Sequence, residues 1–331
     1  MPGVDSMGIH PFVLVLLACG LDRLVGDPRW CLHPVVVMGW CISRLRPLAE
    51  RWAGGRPWRL RLAGGLITLL LVGGSGGAGW ALMAWLRVSQ PGTALQWLCQ
   101  ALVVVGLASA LAGRSLAQAV RAVLAALASG DLPLARSRLA WIVGRDTDSL
   151  SDGDVLRALA ETASENAVDG LFAPLFWMLI GALLGQPLAL AWGFKAASTL
   201  DSMLGYRTGT LRWLGTAGAR LDDLLVWLPC RLVALSLGQL GPALKDGAPD
   251  PSPNAGVSQA AYAHAVGVQL GGSNRYGGQE RCKPLLAAGC RAPDQAAVLQ
   301  MLGLSRRLAL LWLLLAVVGF ALAHNVTKTL S

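Results

Sequence analysis

The residues best placed to do chemistry are the acidic ones of residues 145–169, a polar stretch between two long apolar regions. The second half of this stretch is predicted to form a helix with Ser151 as its N-cap. On that helix Glu161, Glu165 and Asp169 recur every four residues and therefore share one face. The stretch holds seven of the nineteen acidic residues of the chain, namely Asp146, Asp148, Asp152, Asp154, Glu161, Glu165 and Asp169.

Two interpretations of this acidic face remain open. Like charges on a helix are usually a solvated surface, since repulsion at this spacing costs only a few tenths of a kcal/mol. From residue 161 to residue 169, however, the chain has no Lys or Arg, and Ser164 and Asn166 add neutral oxygen atoms. Carboxylates gathered in this way suit Mg²⁺, which prefers oxygen ligands and often binds together with phosphates. The candidates for metal binding or general-base catalysis are Asp146, Asp148, Glu161, Glu165 and Asp169.

Composition indicates a membrane protein. Of 331 residues, 54% are hydrophobic and only 14% are charged, whereas soluble domains carry about 25% charged residues. We therefore predict an all-α, polytopic integral membrane protein with about four spans, each close to the required length of about 20 residues. Two further apolar segments are predicted to be re-entrant or interfacial, because a Gly-Gln-Pro break or an arginine interrupts them. The spans are 9–25, 62–86, 93–113 and 308–323, and the interrupted segments are 171–194 and 224–240.

The net charge of +9 is distributed as in a membrane protein. No basic helix with interleaved aromatic residues occurs, so we expect no nucleic-acid partner. Arginines lie at the edges of apolar runs, above all in residues 44–61, which is the positive-inside pattern. We expect one membrane domain, 1–331, with both termini outside. Its cytoplasmic segments, which would form the site, are the acidic helical segment 114–170 and the polar, Gly-rich segment 241–307.

A second group of candidates follows segment 171–194. Lys195, Thr199 and Ser202 fall on one helical face, with Asp201 beside them. A lysine among hydroxyl groups fits phosphate binding. The same pattern fits equally well a lysine whose side chain lies along the apolar region and whose amine extends to the membrane surface.

An acidic pair, Asp222 and Asp223, stands at the start of segment 224–240. Burying this pair is costly unless a positive charge or a metal lies near it. Arg231, two helical turns beyond Asp223, is one source of that charge. Arg220 precedes the pair and is a further phosphate-binding candidate.

Residues 271–278, GGSNRYGG, are predicted to form a Gly-rich, basic loop. The backbone N–H groups of such a loop are able to surround an anion. The stretch lacks the Lys-Ser/Thr of a P-loop, so alone it is weak support for nucleotide binding. Candidates for nucleotide or substrate contacts are Gly271, Gly272 and Tyr276, together with Asn254.

Four sequence blocks, in this order, resemble one family. They read GDPRWCLHPVVVMG, then RDTDSLSDGDVLRALAETASENAVDGLFAPLFW, then KAASTLDSMLGYR with ARLDDLLVWLPCRL, then SPNAGVSQAAYAHAVGVQLGGSNRYGG. They look like the adenosylcobinamide-phosphate synthases, membrane proteins of cobalamin biosynthesis, over about residues 22–289. Two departures from the family pattern are Ser198 in place of Asn and Val257 in place of Trp, and neither removes a charged group.

The resemblance implies ATP-dependent amide formation between adenosylcobyric acid and aminopropanol or its phosphate, with Mg²⁺. It also implies the bacterial inner membrane, a site facing the cytoplasm, contact with membrane lipid, and a homo-oligomer or other cobalamin-pathway proteins as partners. We expect Glu165, Asp201 and Asp222 to meet in one pocket. The catalytic candidates are then Glu161, Glu165, Asp169 and Asp201; the metal candidates are Asp146, Asp148, Asp222 and Asp223; the substrate or phosphate candidates are Arg145, Lys195, Thr199, Ser202, Arg220, Arg231, Asn254, Gly271, Gly272 and Tyr276.

Two other classes of function stay open. A related membrane protein acts as a sensory modulator of β-lactamase induction, and such a protein would not need all the acidic blocks. A transporter would carry polar residues in mid-span, which runs 62–86 and 93–113 almost entirely lack. Amide formation without substrate uptake would separate the enzyme from both alternatives.

Overall fold

The computed structural model describes residues 9–26 and 33–330, with side chains through residue 322. Residues 27–32 of the first family block therefore lie outside the described residues. The chain divides into two compact units, whereas the sequence predicts one membrane domain. The first unit is built from Met1–Arg114 and Ala173–Leu225, and the second from Ser115–Phe172 and Val226–Ser331.

Helices make up most of the described structure, which confirms the all-α class. One pair of strands interrupts them in the second unit. In chain order the elements are α1 Pro11–Leu24, α2 Pro34–Ala53, α3 Pro57–Val88, α4 Ala94–Ala108, α5 Gly113–Ala128, α6 Leu132–Ala140, α7 Asp152–Ala167, a π-helical turn Val168–Phe172, α8 Ala173–Leu183, α9 Pro187–Leu204, α10 Leu211–Leu214, α11 Thr216–Ser236, α12 Leu240–Gly247, α13 Ala255–Val266, β1 Leu270–Tyr276, β2 Gln279–Leu286 and α14 Gln295–Leu330.

Helix α3 is central to the first unit, where it packs against α2, α9 and α10. Glycine permits close approach, as at Gly79, where an added Cβ atom would lie 2.8 Å from the carbonyl carbon of Leu188 on α9. The core beside α3 is aliphatic. Its largest members include Met38, Ile42, Leu60, Ile67, Leu71, Leu200, Leu204 and Leu214.

Helix α7 organises the second unit and begins where the sequence predicts. The Ser151 hydroxyl accepts from the Asp154 N–H at 3.2 Å, and the Asp154 carboxylate accepts in return from the Ser151 N–H at 3.4 Å. This reciprocal pair completes the predicted capping box. The helix packs against α6, α13, α14 and β1, so its buried residues hold the unit together.

The prediction of a Gly-rich loop at 271–278 is wrong, because these residues form most of the first strand and the turn of an antiparallel hairpin. Strands β1 and β2 pair in a register that places Tyr276 opposite Gln279. The two residues between them, Gly277 and Gly278, have φ angles of +56° and +79°. Two-residue hairpin turns of type I′ require positive φ at both positions, and glycine adopts it without steric cost.

Three helical runs among the described residues are long and apolar enough to cross a membrane: Pro57–Val88, Asp152–Leu183 and Gln295–Leu322. The bent pair α4 and α5 brings the number to as many as four. The polytopic membrane class is thus confirmed, while the predicted number of spans stays a prediction. Two details differ from expectation. Predicted span 9–25 contains only the 14-residue α1, and the acidic helix continues into the start of segment 171–194.

Candidate active site

A polar cavity of about 280 Å³ opens beside α7 in the second unit. Its charged lining residues are Arg145, Glu165 and Lys283, and Tyr276 adds a phenol group. Two cations, one carboxylate and a hydroxyl in so small a space suit the binding of a carboxylate or phosphate. The other lining residues are Ile142, Val143, Gly144, Thr162 and Asn166.

Glu165 and Lys283 line the cavity, and each is contacted by a residue that does not line it. Glu165 Oε2 accepts a hydrogen bond from Gln259 Nε2 at 2.6 Å. Lys283 Nζ lies 3.5 Å from Asp250 Oδ2. Burial opposes the charged form of Lys283, but the carboxylates of Glu165 and Asp250 outweigh burial and hold the pKa of Lys283 above its ordinary value. Lys283 is therefore a cation at the cavity wall.

Glu161 lies one turn before Glu165 and has a different environment. Its side chain is 1% exposed and forms an ion pair with Arg145. Its other oxygen accepts the backbone N–H of Gly271 at 2.9 Å, and Arg157 Nη1 lies 3.9 Å away. With both carboxylate oxygens engaged, Glu161 holds the hairpin against α7. The geometry favours this positioning role over the predicted catalytic one.

Two arginines complete the connection between α7 and β1. Arg145 donates to Asn274 Oδ1 at 2.6 Å, and Arg157 donates to the carbonyl oxygens of Gly271 and Ser273 at 2.6 and 3.0 Å. Arg157 stands four residues before Glu161 and therefore supplies, from the preceding helical turn, the positive charge that residues 161–169 lack. The Nε of Arg145 is buried without a hydrogen-bond partner, which leaves this residue one unused donor.

Asp146 closes the hairpin turn. Its two carboxylate oxygens accept the N–H groups of Gly277 and Gly278 at 3.0 and 2.7 Å, and its own N–H donates to Arg275 O at 2.9 Å. Asp148 is exposed. Within 9–26 and 33–330, no group of three or more His, Cys, Asp or Glu side chains is arranged to hold a metal ion. Metal binding by Asp146 and Asp148 stays a prediction, and at Asp146 it would compete with the turn.

The glycines expected to contact an anion are instead part of β1. Gly271 and Gly272 have φ angles of +85° and +91° and lie at a register shift of the strand. A side chain at Gly271 would meet the carbonyl of Pro284 on β2. Because the N–H and carbonyl of Gly271 are bound by Glu161 and Arg157, this glycine permits close packing.

Arg231 binds the turn that precedes α13. It donates to Asn254 Oδ1 and to Pro253 O, both at 2.7 Å, and its guanidinium lies 4.6 Å from the centre of the Trp227 ring. These contacts differ from the counter-ion role that the sequence suggests for Arg231 beside the Asp222–Asp223 pair. Asp169 lies in the π-helical turn and is half-buried, and its catalytic role stays a prediction.

The first unit contains a second group of acidic residues, Asp201, Asp222 and Asp223. Burial and the charges of Asp201 and Asp223 raise the pKa of Asp222 to about 7, and Lys195 opposes this shift. Helix α11, which carries Asp222, is not among the candidate spans. The Oδ1 of Asp222 is buried without a hydrogen-bond partner. This acidic group therefore has an oxygen that a cation would satisfy.

The remaining candidates of the first unit lie on α9 and α11. The hydroxyls of Thr199 and Ser202 donate to the carbonyls of Lys195 and Thr199 at 2.7 and 2.9 Å. Each hydroxyl could therefore still accept a hydrogen bond from a ligand, but its proton is already used. Arg220 is exposed. Glu165 belongs to the second unit and Asp201 and Asp222 to the first, and the predicted meeting of the three in one pocket stays a prediction.

Sequence reasoning missed Lys283, Gln259 and Asp250. The signal for Lys283 was the Gly-Gly pair, because a hairpin places alternate residues of its second strand on one face. The signal for Gln259 was a long amide within the otherwise small and apolar start of α13. Asp250 carries no local signal, since its contact with Lys283 joins residues 33 positions apart in the chain.

We predict that Glu161→Gln destabilises the second unit by about 3–5 kcal/mol, because Arg145 and Arg157 would lose their buried carboxylate. Hydrogen exchange at the amides of β1 should accelerate together with the loss of thermal stability. Asp148→Asn, at an exposed carboxylate before α7, is the control and should change neither measurement. Normal exchange at Gly271 in the Glu161→Gln protein would contradict this positioning role.

We predict that Asp222 makes stability depend on pH. Its folded-state pKa of about 7 exceeds its unfolded value, so the folded state binds more protons than the unfolded state between about pH 4 and pH 7. Stability should therefore fall as pH rises through this window. Asp222→Asn should flatten the Tm profile between pH 5 and pH 8, and exposed Asp152→Asn should not. If Tm depends on pH in Asp222→Asn as it does in the wild type, Asp222 is not the source of this pH dependence.

Comparison with known proteins supports the family suggested by the four blocks. A family model described as CobD/Cbib protein matches residues 15–305. The chain is 42% identical over 328 residues to cobalamin biosynthesis protein CobD of Synechocystis sp., covering 95% of this chain and 94% of the relative. It is 38% identical to cobalamin biosynthesis protein CobD of Pelobacter propionicus, covering 97% and 99%.

A third relative, cobalamin biosynthesis protein CbiB of Salmonella typhimurium, is 37% identical over 308 residues, covering 89% of this chain and 91% of the relative. No solved structure matches the chain. The family model covers most of the chain, and these relatives align over nearly their whole length. The chain therefore belongs to the CobD/CbiB family.

Proposed function

We propose that this chain is an adenosylcobinamide-phosphate synthase of cobalamin biosynthesis. It would join aminopropanol, or its phosphate, to a carboxylate of adenosylcobyric acid by ATP-dependent amide formation. Family membership supports the pathway, since the relatives are named cobalamin biosynthesis proteins. That naming favours biosynthesis over the sensory and transport alternatives. The observation that carries the reaction is the cavity in which Arg145 and Lys283 lie with Glu165.

Amide formation requires an activated carboxylate and a neutral amine. The carboxylate would take the γ-phosphoryl group of ATP, with release of ADP, to give an acyl phosphate. Attack by the amine on its carbonyl carbon would then form the amide and release phosphate. Lys283 and Arg145 would bind the oxygens that carry negative charge before and during that attack. Glu165, oriented by Gln259, would accept the proton that the amine loses.

For Mg²⁺ we propose Asp222 and Asp223, with Asp201 beside them, rather than a site built only from protein ligands. Mg²⁺ commonly takes one or two carboxylates and completes its shell with water and phosphate oxygens. The buried, unsatisfied Oδ1 of Asp222 fits such a ligand. Lys195, which interacts with Asp222, would add a positive charge for phosphate.

The corrin ring must bind outside the cavity. Pockets that enclose drug-sized ligands measure about 300–1,000 Å³, and a corrinoid is larger than such ligands, while this cavity measures about 280 Å³. Only a side arm of the substrate and an attached phosphate would enter. Trp141 immediately precedes the lining residue Ile142 and is 88% exposed. Its indole would offer a flat apolar surface to the ring.

The central test is amide formation by the purified full-length chain with adenosylcobyric acid, aminopropanol or its phosphate, and Mg-ATP, followed by mass spectrometry. Lys283→Gln should lower kcat/KM by about 10²–10³, because one fixed charge at the reacting group is lost. Lys245→Gln, which removes an exposed lysine of α12, is the matched control and should retain activity.

Two outcomes would contradict the proposal. The first is no amide product from wild-type protein with either amine while the protein remains folded. The second is equal activity of Lys283→Gln and wild type, which would exclude the cavity as the reaction site even if the chain makes the product.

We predict that Trp141→Ala raises KM for adenosylcobyric acid about tenfold, because an aromatic stacking surface is lost. KM for ATP and kcat should change little, and Trp141→Phe should restore most of the affinity. Trp97→Ala, at an exposed tryptophan of α4, serves as the control. An unchanged KM for the corrinoid in Trp141→Ala would show that the ring binds elsewhere.

A further inference from the structure

A cluster of arginines and tryptophans lies in the first unit where α2 ends, α3 begins and α10 packs. Arg59 lies 5.6 Å from the ring centre of Trp52 and 5.3 Å from that of Trp58. Its guanidinium group is therefore within cation–π distance of two indole rings. The arginine–tryptophan cluster consists of Trp52, Trp58, Arg59, Arg61, Arg212 and Trp213.

The cluster carries a large excess of positive charge. Residues 40–61 and 205–215 contain eight arginines and a single acidic residue, Glu50. Glu50 accepts hydrogen bonds from Arg46 at 3.1 Å and from the Thr210 hydroxyl at 2.7 Å. Its charge is thus already shared by two partners outside the cluster, and the cluster has no carboxylate of its own.

Arg61 and Arg212 share one aromatic ring. Their guanidinium carbons lie 4.5 and 4.9 Å from the centre of the Trp213 ring. Two like charges on one indole repel each other, and a bound anion between them would offset that repulsion, because guanidinium groups bind phosphate through paired N–H donors. The arrangement therefore favours a bound phosphate.

The position of the cluster identifies the kind of phosphate. It surrounds the first turn of α3, and Pro57–Val88 is a candidate membrane span. The tryptophan side chains at positions 52 and 58 are more than half exposed. Exposed tryptophan is typical of the boundary between membrane and water. A phosphate held there, with apolar indole surface beside it, would belong to a lipid.

We propose that the arginine–tryptophan cluster is a binding site for the headgroup of an anionic phospholipid. Arg61 and Arg212 hold its phosphate above Trp213, and the exposed tryptophans contact the glycerol and upper acyl chains. This site is independent of the polar cavity and of the proposed reaction.

The test uses the full-length chain, delipidated in detergent, with bound lipid counted by native mass spectrometry. Phosphatidylglycerol should bind in preference to phosphatidylcholine of the same acyl length. Arg61→Gln/Arg212→Gln should weaken phosphatidylglycerol binding about thirtyfold at low salt, since each arginine near an anionic headgroup contributes about fivefold. The single variant Arg212→Gln should give an intermediate loss, and thermal unfolding verifies that each variant is folded.

The matched control is Arg306→Gln/Arg307→Gln, which removes two exposed arginines from α14, another candidate span. This variant should keep phosphatidylglycerol binding, because neither arginine belongs to the cluster. An equal loss in both double variants would show that only general charge attraction is at work. Equal binding of the two lipids, or binding of glycerol phosphate as tight as that of phosphatidylglycerol, would also overturn the proposal.

Discussion

The structure of the second unit depends on the buried carboxylate of Glu161. Removing a charge of this kind from water costs several kcal/mol, and the cost is offset only when every oxygen has a good partner. Arg145, Arg157 and the N–H of Gly271 supply those partners. They also connect α7 to the first residues of the hairpin. Because the hairpin carries Tyr276 and Lys283, the geometry of the cavity follows from this one network.

The acidic stretch therefore contains two kinds of residue: some bind the hairpin and fix its position, and others face the cavity. Asp146 binds the turn at the far end of the hairpin, and Glu161 binds its near end. Glu165, four residues later, lines the cavity, accepts a hydrogen bond from Gln259 and interacts electrostatically with Lys283. One helical stripe thus serves two purposes, because the elements packed against α7 change from one turn to the next.

Features that depend on neighbouring residues could be predicted from the sequence. The capping box at Ser151, the all-α membrane class and the acidic stripe all follow from local spacing. The hairpin was missed because its glycines also suit an anion-binding loop, although Gly277-Gly278 between strand-like residues fits a two-residue turn. The contacts of Lys283 with Asp250 and of Gln259 with Glu165 join residues 33 and 94 positions apart. No periodicity of the sequence reports such pairs.

Charged residues of one type can be separated by how completely their hydrogen-bonding capacity is used. Both carboxylate oxygens of Glu161 and of Asp146 have partners in the protein, Arg157 donates to two carbonyl groups of β1, and each of the three residues connects two segments of chain. Asp222 keeps a buried oxygen without a partner, and Arg145 keeps a buried donor. An unsatisfied buried group costs about 1–3 kcal/mol, so a fold that retains it gains from a ligand that satisfies it. This difference, rather than residue type, is the reason why we propose Asp222 as a metal ligand and Arg145 as a substrate ligand.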